Sequence, residues 1–260
     1  MSTSGRIHLD AAAVVDTSRA DGQRDGKFLL RATRSGTDDA GSEVAVDALA
    51  GDLSRTANIE VEAVKIYNAS TVNAALISTI AGHNAAFGSQ ATTILDRLSG
   101  GDAALAAQMS LRSGVEVQSS GNLTVTGNPL TQGWNLTPFD ADGNPARPGG
   151  QPVNLTLRAG GNLSVQASIS DGFRSGGASL GNPASITPES TVVGDGGTLR
   201  LVGGADLSAA NPLATIASAD SGDVSIGRTR TDVIVRTSTG QIDIAAGRDV
   251  KLLNGQAVVY

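Results

Sequence analysis

Along much of this chain, apolar and polar residues alternate in short runs, and each run opens on a glycine and a polar residue. Gly121-Asn122-Leu123-Thr124-Val125 reads glycine, asparagine, apolar, hydroxyl, apolar, and Gly161-Asn162-Leu163-Ser164-Val165 repeats it. Gly222-Asp223-Val224-Ser225-Ile226 and Gly240-Gln241-Ile242-Asp243-Ile244 are variants, and Gly247-Arg248-Asp249-Val250-Lys251-Leu252 adds one residue to the turn. In such a phrase glycine is expected to supply the positive φ of a tight turn, and Asn or Asp to bond its own backbone. The alternation that follows predicts a strand with one buried face. A turn and strand reused this often predicts a stacked β architecture, each unit burying its face against its neighbours. Val224, Val233, Ile242, Val250 and Val258 open strands at steps of 9, 9, 8 and 8. Three such strands would make one coil of roughly 20–27 residues. A β-sandwich also strings short strands at regular spacing, but it has no reason to reuse one corner sequence.

The rest of the chain is less periodic. Residues 6–67 read as strands and turns, with polar stretches at 21–26 and 35–41 and a clean alternation opening at Ile59-Glu60-Val61-Glu62. Over residues 71–112 the period changes. Val72, Leu76, Ile80, Phe87, Ile94, Leu95, Leu98, Leu105 and Met109 recur at helical spacing. Gly82, Gly88 and the Gly100-Gly101 pair weaken or break that pattern, and Asp102 suits the N-cap of a last short helix. Two or three short helices are expected there. Strands resume at Val115-Glu116-Val117, with loops predicted at 128–152, which holds Trp134, and at 171–195. The organisation expected is therefore β coils over 1–70, a helical excursion over 71–112, and β coils over 113–260.

Composition narrows the picture. With 33 Gly, 4 Phe, 2 Tyr and 1 Trp, the chain suits thin layers filled by Val, Ile, Leu and Ala better than a core built on large aromatics. The net charge of −6 and the absence of a basic stripe argue against a nucleic-acid partner. No apolar run approaches the ~20 residues of a membrane-spanning helix. Residues 1–5 have neither the charged nor the apolar region of a signal peptide. Cysteine is absent, which excludes disulfides and thiolate chemistry.

Candidate chemistry is sparse. His8 and His83 have no partners at metal-ligand spacing and read as surface or locally bonded histidines. Polysaccharide chemistry on a β stack would need carboxylates, alone or with Arg or Lys, converging on one outer face. Arg236, Asp243 and Lys251 are predicted to point outward from successive strands, hence toward different sides. Asp140, Asp142, Asp171 and Asp195 are placed in loops where they could meet. Gly194-Asp195-Gly196-Gly197 lacks the Lys-Ser/Thr of a phosphate loop and the nonapeptide calcium pattern. The triplets at Asn68, Asn122, Asn135, Asn154 and Asn162 fit Asn-x-Ser/Thr glycan acceptors, but the corner phrase itself generates several of them. No catalytic, cofactor-binding or metal-ligating residue is assigned.

Longer phrases carry a family resemblance. They are Val61-Glu62-Ala63-Val64-Lys65-Ile66-Tyr67, Trp134-Asn135-Leu136, the run from Leu155-Thr156-Leu157-Arg158-Ala159-Gly160-Gly161-Asn162-Leu163 to Ser170-Asp171-Gly172-Phe173, Arg200-Leu201-Val202-Gly203-Gly204-Ala205-Asp206-Leu207, and Val233-Ile234-Val235-Arg236-Thr237 through Ile242-Asp243-Ile244 to Asp249-Val250. In these the chain resembles the large filamentous-haemagglutinin-like exoproteins that Gram-negative bacteria export by two-partner secretion. The resemblance implies an all-β fold, a right-handed parallel β-helix (solenoid) with a short α-helical excursion. It implies a non-catalytic shaft segment of a secreted or cell-surface adhesin, served by an outer-membrane secretion partner and meeting glycans or proteins of host or neighbouring cells. No cofactor is implied. Because the family's N-terminal secretion motifs are not found and residues 258–260 read as mid-coil, an internal or C-terminal-side piece of a larger protein is expected. A carbohydrate-active or glycan-binding β-helix is the alternative.

Overall fold

The apolar positions of the repeated phrase lie directly over one another. A computed structural model describes residues 5–260, apart from 24–25, 128–132, 138, 140–143, 176–189, 229–232 and 254–257. The chain is mostly β with parallel sheets, and it divides into two units. Residues 1–65, 82–114 and 148–151 form the first unit, and residues 66–81, 115–147 and 152–260 the second.

In the first unit, β1 (Val14–Asp16) pairs in parallel with β4 (Asp52–Arg55). β2 (Lys27–Ser35) runs parallel to β5 (Asn58–Asn68), with Leu30 beside Val61 and Ala32 beside Ala63, while β3 (Glu43–Val44) turns back antiparallel on β2. Alternation puts Leu30, Ala32, Ile59, Val61 and Ala63 on one face. They share a core with Phe87, Ile94 and Leu98 from α1 (Ala74–Gly88) and α2 (Ala91–Leu98), and with Met109 and Leu111 from β7 (Met109–Ser119). The opposite face is charged and largely buried. Glu60 pairs with Lys27 (2.8 Å) and Arg112 (2.9 Å), and Glu62 with Arg31 (3.0 Å). Side-chain polar contacts fasten helix to strand. Arg34 lies 4.2 Å above the Phe87 ring and donates to Asn84 Oδ1 (2.6 Å), and Arg97 grips both oxygens of Glu43.

The helical excursion is narrower than its sequence limits, because Thr71 and Val72 form β6 (Thr71–Val72) and Met109 already belongs to β7. Gly82 is carried inside α1, which ends at Gly88. Gly100 and Gly101, both at positive φ, separate α2 from α3 (Ala103–Ala107). Asp102 caps α3 as predicted, its carboxylate accepting from the N–H of Ala104 (2.8 Å) and Leu105 (3.1 Å).

The second unit is regular. After β7 the chain forms β8 (Leu123–Val125), β9 (Trp134–Asn135), β10 (Asn154–Ala159), β11 (Leu163–Val165) and β12 (Ile169–Asp171). An antiparallel hairpin of β13 (Phe173–Ser175) and β14 (Ser190–Val192) intervenes. Then come β15 (Leu199–Gly203), β16 (Val224–Ile226), β17 (Ile234–Thr237), β18 (Ile242–Ala246), β19 (Val250–Leu252) and β20 (Val258–Val259). These strands fall into three parallel sheets that the chain visits in rotation: β10, β15, β18; β8, β11, β16, β19; and β9, β12, β17, β20. Leu123, Leu163, Val224 and Val250 stand in one ladder, and Trp134, Ile169, Val235 and Val259 in another. All of these side chains except Val250, which is exposed, belong to a single, largely aliphatic core. Each fully buried Leu or Val of that core contributes about 1.5–3 kcal/mol.

Several expectations need correction. Among the phrase glycines only Gly222 has positive φ (+100°). Gly161 and Gly240 are required for a different reason: a Cβ would stand 2.4 Å from Asn122 Oδ1 at the first and 2.0 Å from Gly197 O at the second. At Gly240 neighbouring backbone, and at Gly161 the clasping Asn122 side chain, approaches too closely for a Cβ. The expected 20–27-residue period holds between Val224 and Val250 and between Val235 and Val259. Elsewhere long insertions lengthen the interval without shifting register. One of these, between β15 and β16, was not anticipated. Trp134 and Asp171 are strand residues, not loop residues.

Candidate functional site

In three of the phrases the polar residue that opens the strand, Asn122, Asn162 or Asp223, bonds not its own turn but the strand stacked on it. Asn122 Oδ1 accepts from the N–H of Asn162 (2.8 Å), and Asn162 Oδ1 from the N–H groups of Gly222 and Asp223 (both 2.9 Å). Asp223 Oδ1 in turn accepts from the N–H of Asp249 (3.3 Å). Asn154 repeats the device between β10 and β15, taking the N–H of Thr198 at 3.0 Å. These four side chains are clasps between successive strands. Each satisfies backbone donors at a corner, where strand pairing has lapsed. Asp223 also holds Arg248 through two 2.6 Å contacts and Lys251 at 2.5 Å. Those hydrogen bonds keep its carboxyl well below the usual carboxylate range.

The most buried polar cluster surrounds Asp171. Its Oδ1 accepts from Thr137 Oγ1 (2.5 Å) and the Gly172 N–H (3.0 Å), and its Oδ2 from the Gly197 N–H (2.5 Å). Arg147 donates to Thr137 Oγ1 at 3.0 Å and reaches Asp171 Oδ1 at 3.4 Å. Burial pushes the Asp171 carboxyl up from its ordinary value, against the pull of Thr137, the Gly197 and Gly172 N–H groups and Arg147. The glycine-rich stretch at 194–197 serves this clasp and packs on Thr237 and Ser238, whose hydroxyls donate to Gly197 O (2.9 Å) and Gly194 O (2.6 Å).

Of the predicted carboxylates, Asp140 and Asp142 lie outside the described residues. Asp171 is buried, whereas Asp195 is exposed and accepts from the Thr239 hydroxyl at 3.4 Å. Asp243 and Lys251 lie on different sheets, as the strand order required. Arg236 is a correction, being fully buried. Its guanidinium donates to Ser170 Oγ (2.8 Å) and Tyr260 Oη (3.1 Å) and lies 4.6 Å over the Phe173 ring. The hairpin of β13 and β14 and the last residue cover what alternation marks as an outer face. His8 and His83 each meet one aspartate, Asp47 (3.4 Å) and Asp39 (3.1 Å). No cluster of three potential metal ligands occurs among the described residues.

Among the described residues one open groove, of about 460 Å³, is lined by Asn68, Ala69, Ser70, Gln118, Ser119, Ser120 and Leu207. Two strand corners and the unanticipated insertion border it. Gln118 Nε2 donates to Asn68 Oδ1 (2.9 Å), and no charged residue lines the groove. Asn68 is also the exposed member of the five Asn-x-Ser/Thr triplets whose amide oxygen takes no backbone N–H. Asn135 spends its own on Thr137, while Asn122, Asn154 and Asn162 are clasps. Sequence reasoning did not find Thr137, Arg147 or Gln118. The signal for the clasps was present in the fixed place of Asn or Asp before the first apolar residue of each phrase. Comparison with models of known families, with curated proteins and with solved structures finds no match.

Proposed function

We propose that this chain is a structural segment of a bacterial surface or secreted adhesin. On this reading its second unit winds as a right-handed parallel β-helix that serves as a shaft. The carrying observation is the rotation of the chain through three in-register parallel sheets, with an Asn or Asp clasp joining each strand of one ladder to the next. A stack of this kind is extended by adding turns and tolerates insertions between strands. The strong polar groups are committed to backbone: Asp171 closes on two glycine N–H groups, and Asn154 and Asn162 on three others. That commitment favours a scaffold over a convergent acid–base pair. Export through an outer-membrane partner and contact with surface glycans or proteins belong to the same proposal.

The test is deletion of one whole turn. Ile242 stands in the ladder position of Leu199. Removing residues 199–241 should therefore set β18 on β10, β19 on β11 and β20 on β12, each in register. The shortened chain is expected to keep its β-sheet circular dichroism and a cooperative unfolding transition. Loss of folded structure would overturn the winding. In the intact adhesin the same deletion should leave export and surface display unchanged.

A second reading, glycan binding, is favoured by the neutral groove. Its amide and hydroxyl lining suits sugar hydroxyls, with Leu207 as an apolar flank. It lacks the stacked aromatics that would tighten such a site. Titration with neutral monosaccharides, read at Ser70, Gln118 and Ser120 by NMR, would separate the two readings.

A further inference from the structure

Of the five Asn-x-Ser/Thr triplets, four follow from packing. Asn122, Asn135, Asn154 and Asn162 are each followed by a leucine and then a hydroxyl residue, and Leu123, Leu136, Leu155 and Leu163 are all buried. Their hydroxyl residues are drawn in with them. Thr137 and Thr156 are fully buried, and Thr124 and Ser164 are half-buried within β8 and β11. Asn68-Ala69-Ser70 is of another kind. It has no leucine to bury, it turns the corner between β5 and β6, and it alone among the five exposes both its Asn and its hydroxyl residue. Asn68 Oδ1 accepts from Gln118 Nε2 (2.9 Å), and among the described residues no acceptor takes the Nδ2 hydrogens. Asn68 also lines the neutral groove of about 460 Å³, with Ser70, Gln118, Ser120 and Leu207. That volume is typical of small-ligand sites.

We propose that Asn68 is a glycan-acceptor site and that the first sugar of its glycan lies along this groove. A glycosyltransferase that reads the triplet must reach both the amide and the hydroxyl two residues on, and residues 68–70 offer both at a strand corner. The donor is a nucleoside-diphosphate hexose. Nδ2 bonds to the anomeric carbon, the bond from that carbon to the diphosphate oxygen breaks, one Nδ2 proton passes to a base of the transferase, and the nucleoside diphosphate leaves. The amide oxygen can keep its bond from Gln118 throughout, because only the nitrogen reacts. Ser70, Ser120 and Gln118 then face the sugar hydroxyls, and Leu207 flanks the ring. At the other triplets the amide oxygen is spent: Asn122, Asn154 and Asn162 on stacked strands and Asn135 on Thr137. An attached sugar fills the groove from its own chain, unlike the free sugar of the glycan-binding reading, and the proposal does not rest on the winding or on export.

The test uses a transferase that glycosylates synthetic peptides carrying each of the five triplets. The whole folded chain is incubated with it and with its nucleoside-diphosphate hexose, and the product is mapped by peptide mass spectrometry. A gain of one hexose is expected, on Asn68. Asn68→Gln and Ser70→Ala should each abolish it. Both alter exposed side chains, so circular dichroism should not change. Equal modification of Asn122 or Asn162, or none at Asn68 while its peptide is modified, would overturn the acceptor site. Seating is read separately by NMR of the modified chain. Amide shifts at Gln118 and Ser120 are expected, and shifts confined to residues 67–71 would overturn the seat in the groove.

Discussion

The two units solve the same problem, a β-sheet of modest size poor in aromatics, in different ways. The first gathers one sheet face around helix residues, Phe87, Ile94 and Leu98, and fastens helix to strand with Arg34 and Arg97. Among the described residues the second has no helix beyond the first half of α1, and it repeats one contact pattern along three ladders. In the first, each stabilising contact is unique and joins elements far apart in sequence. In the second, the contacts are near copies, and backbone donors at the corners are met by Asn and Asp side chains. A repeating solution is legible in a single sequence, and a singular one is not.

The comparison can be broken most forcefully in the cores. Leu163→Asp should cost more than about 4 kcal/mol, because it removes a fully buried side chain and places an unpaired charge between Leu123 and Val224. Phe87→Ala in the first unit should cost about 3–5 kcal/mol. Strand-resolved amide exchange should place the first loss in β8, β11 and β16, and the second in β2 and β5. The same strands losing protection in both variants would mean that the two cores are not distinct.

Clasps should rank next. Asn162→Ala orphans the N–H groups of Gly222 and Asp223 and is expected to cost about 1–3 kcal/mol in urea unfolding. Asp102→Ala, the cap of α3, should cost about 1 kcal/mol. Equal values would deny the inter-strand clasp any special role.

The carboxylates of the second unit should respond to pH with opposite signs. The Asp223 carboxyl is held low, so its contribution is fully present above its unfolded pKa, near 4, and fades as pH falls below it. The Asp171 carboxyl is pushed up, so its contribution is greatest below that same unfolded value and shrinks as pH rises through its folded value. Relative to Asp223→Asn, the native chain should lose stability on acidification. Relative to Asp171→Asn it should gain. Urea midpoints from pH 7 to pH 3 would show both slopes, and parallel slopes would refute the assignment.

The smallest effect belongs to Asp243→Ser, a half-buried residue outside the core, expected within about 0.5 kcal/mol. Ile244→Asp beside it should cost more, since Ile244 packs on the core. Equal losses would reverse the inward and outward assignment of β18.

These contrasts mark how far the sequence could be read. The strands of the repeated phrase, the helical stretch and the cap at Asp102 were legible because alternation, helical spacing and capping chemistry are local, whereas β9, β13 and β14 stand where loops were expected. The faces were legible too, but not what covers them. Arg236 alternates with buried residues and so reads as outward, yet Phe173 and Tyr260 close over it from elsewhere in the chain. Glu62 reads as outward for the same reason and is buried beside Arg31. The Asp171 cluster was half legible. The carboxylate stood out, but Thr137, Arg147 and Gly197 reach it from three separate segments. Gly161 and Gly240 were found for the wrong reason, since a one-chain reading sees φ preferences but not the atoms of a neighbouring strand.

One feature of the second unit makes the protein its own instrument. Trp134 is the chain's single tryptophan, and it sits buried in the ladder with Ile169, Val235 and Val259. Its emission should be blue-shifted while that ladder stands and should move to the red as the ladder opens, with no second indole to blur the signal. Ellipticity at 222 nm, by contrast, is weighted toward α2, α3 and the second half of α1, all in the first unit. A single unlabelled sample thus carries two optical channels, one for each way of building the sheet. Whether the two traces melt together or apart can be read in one temperature ramp.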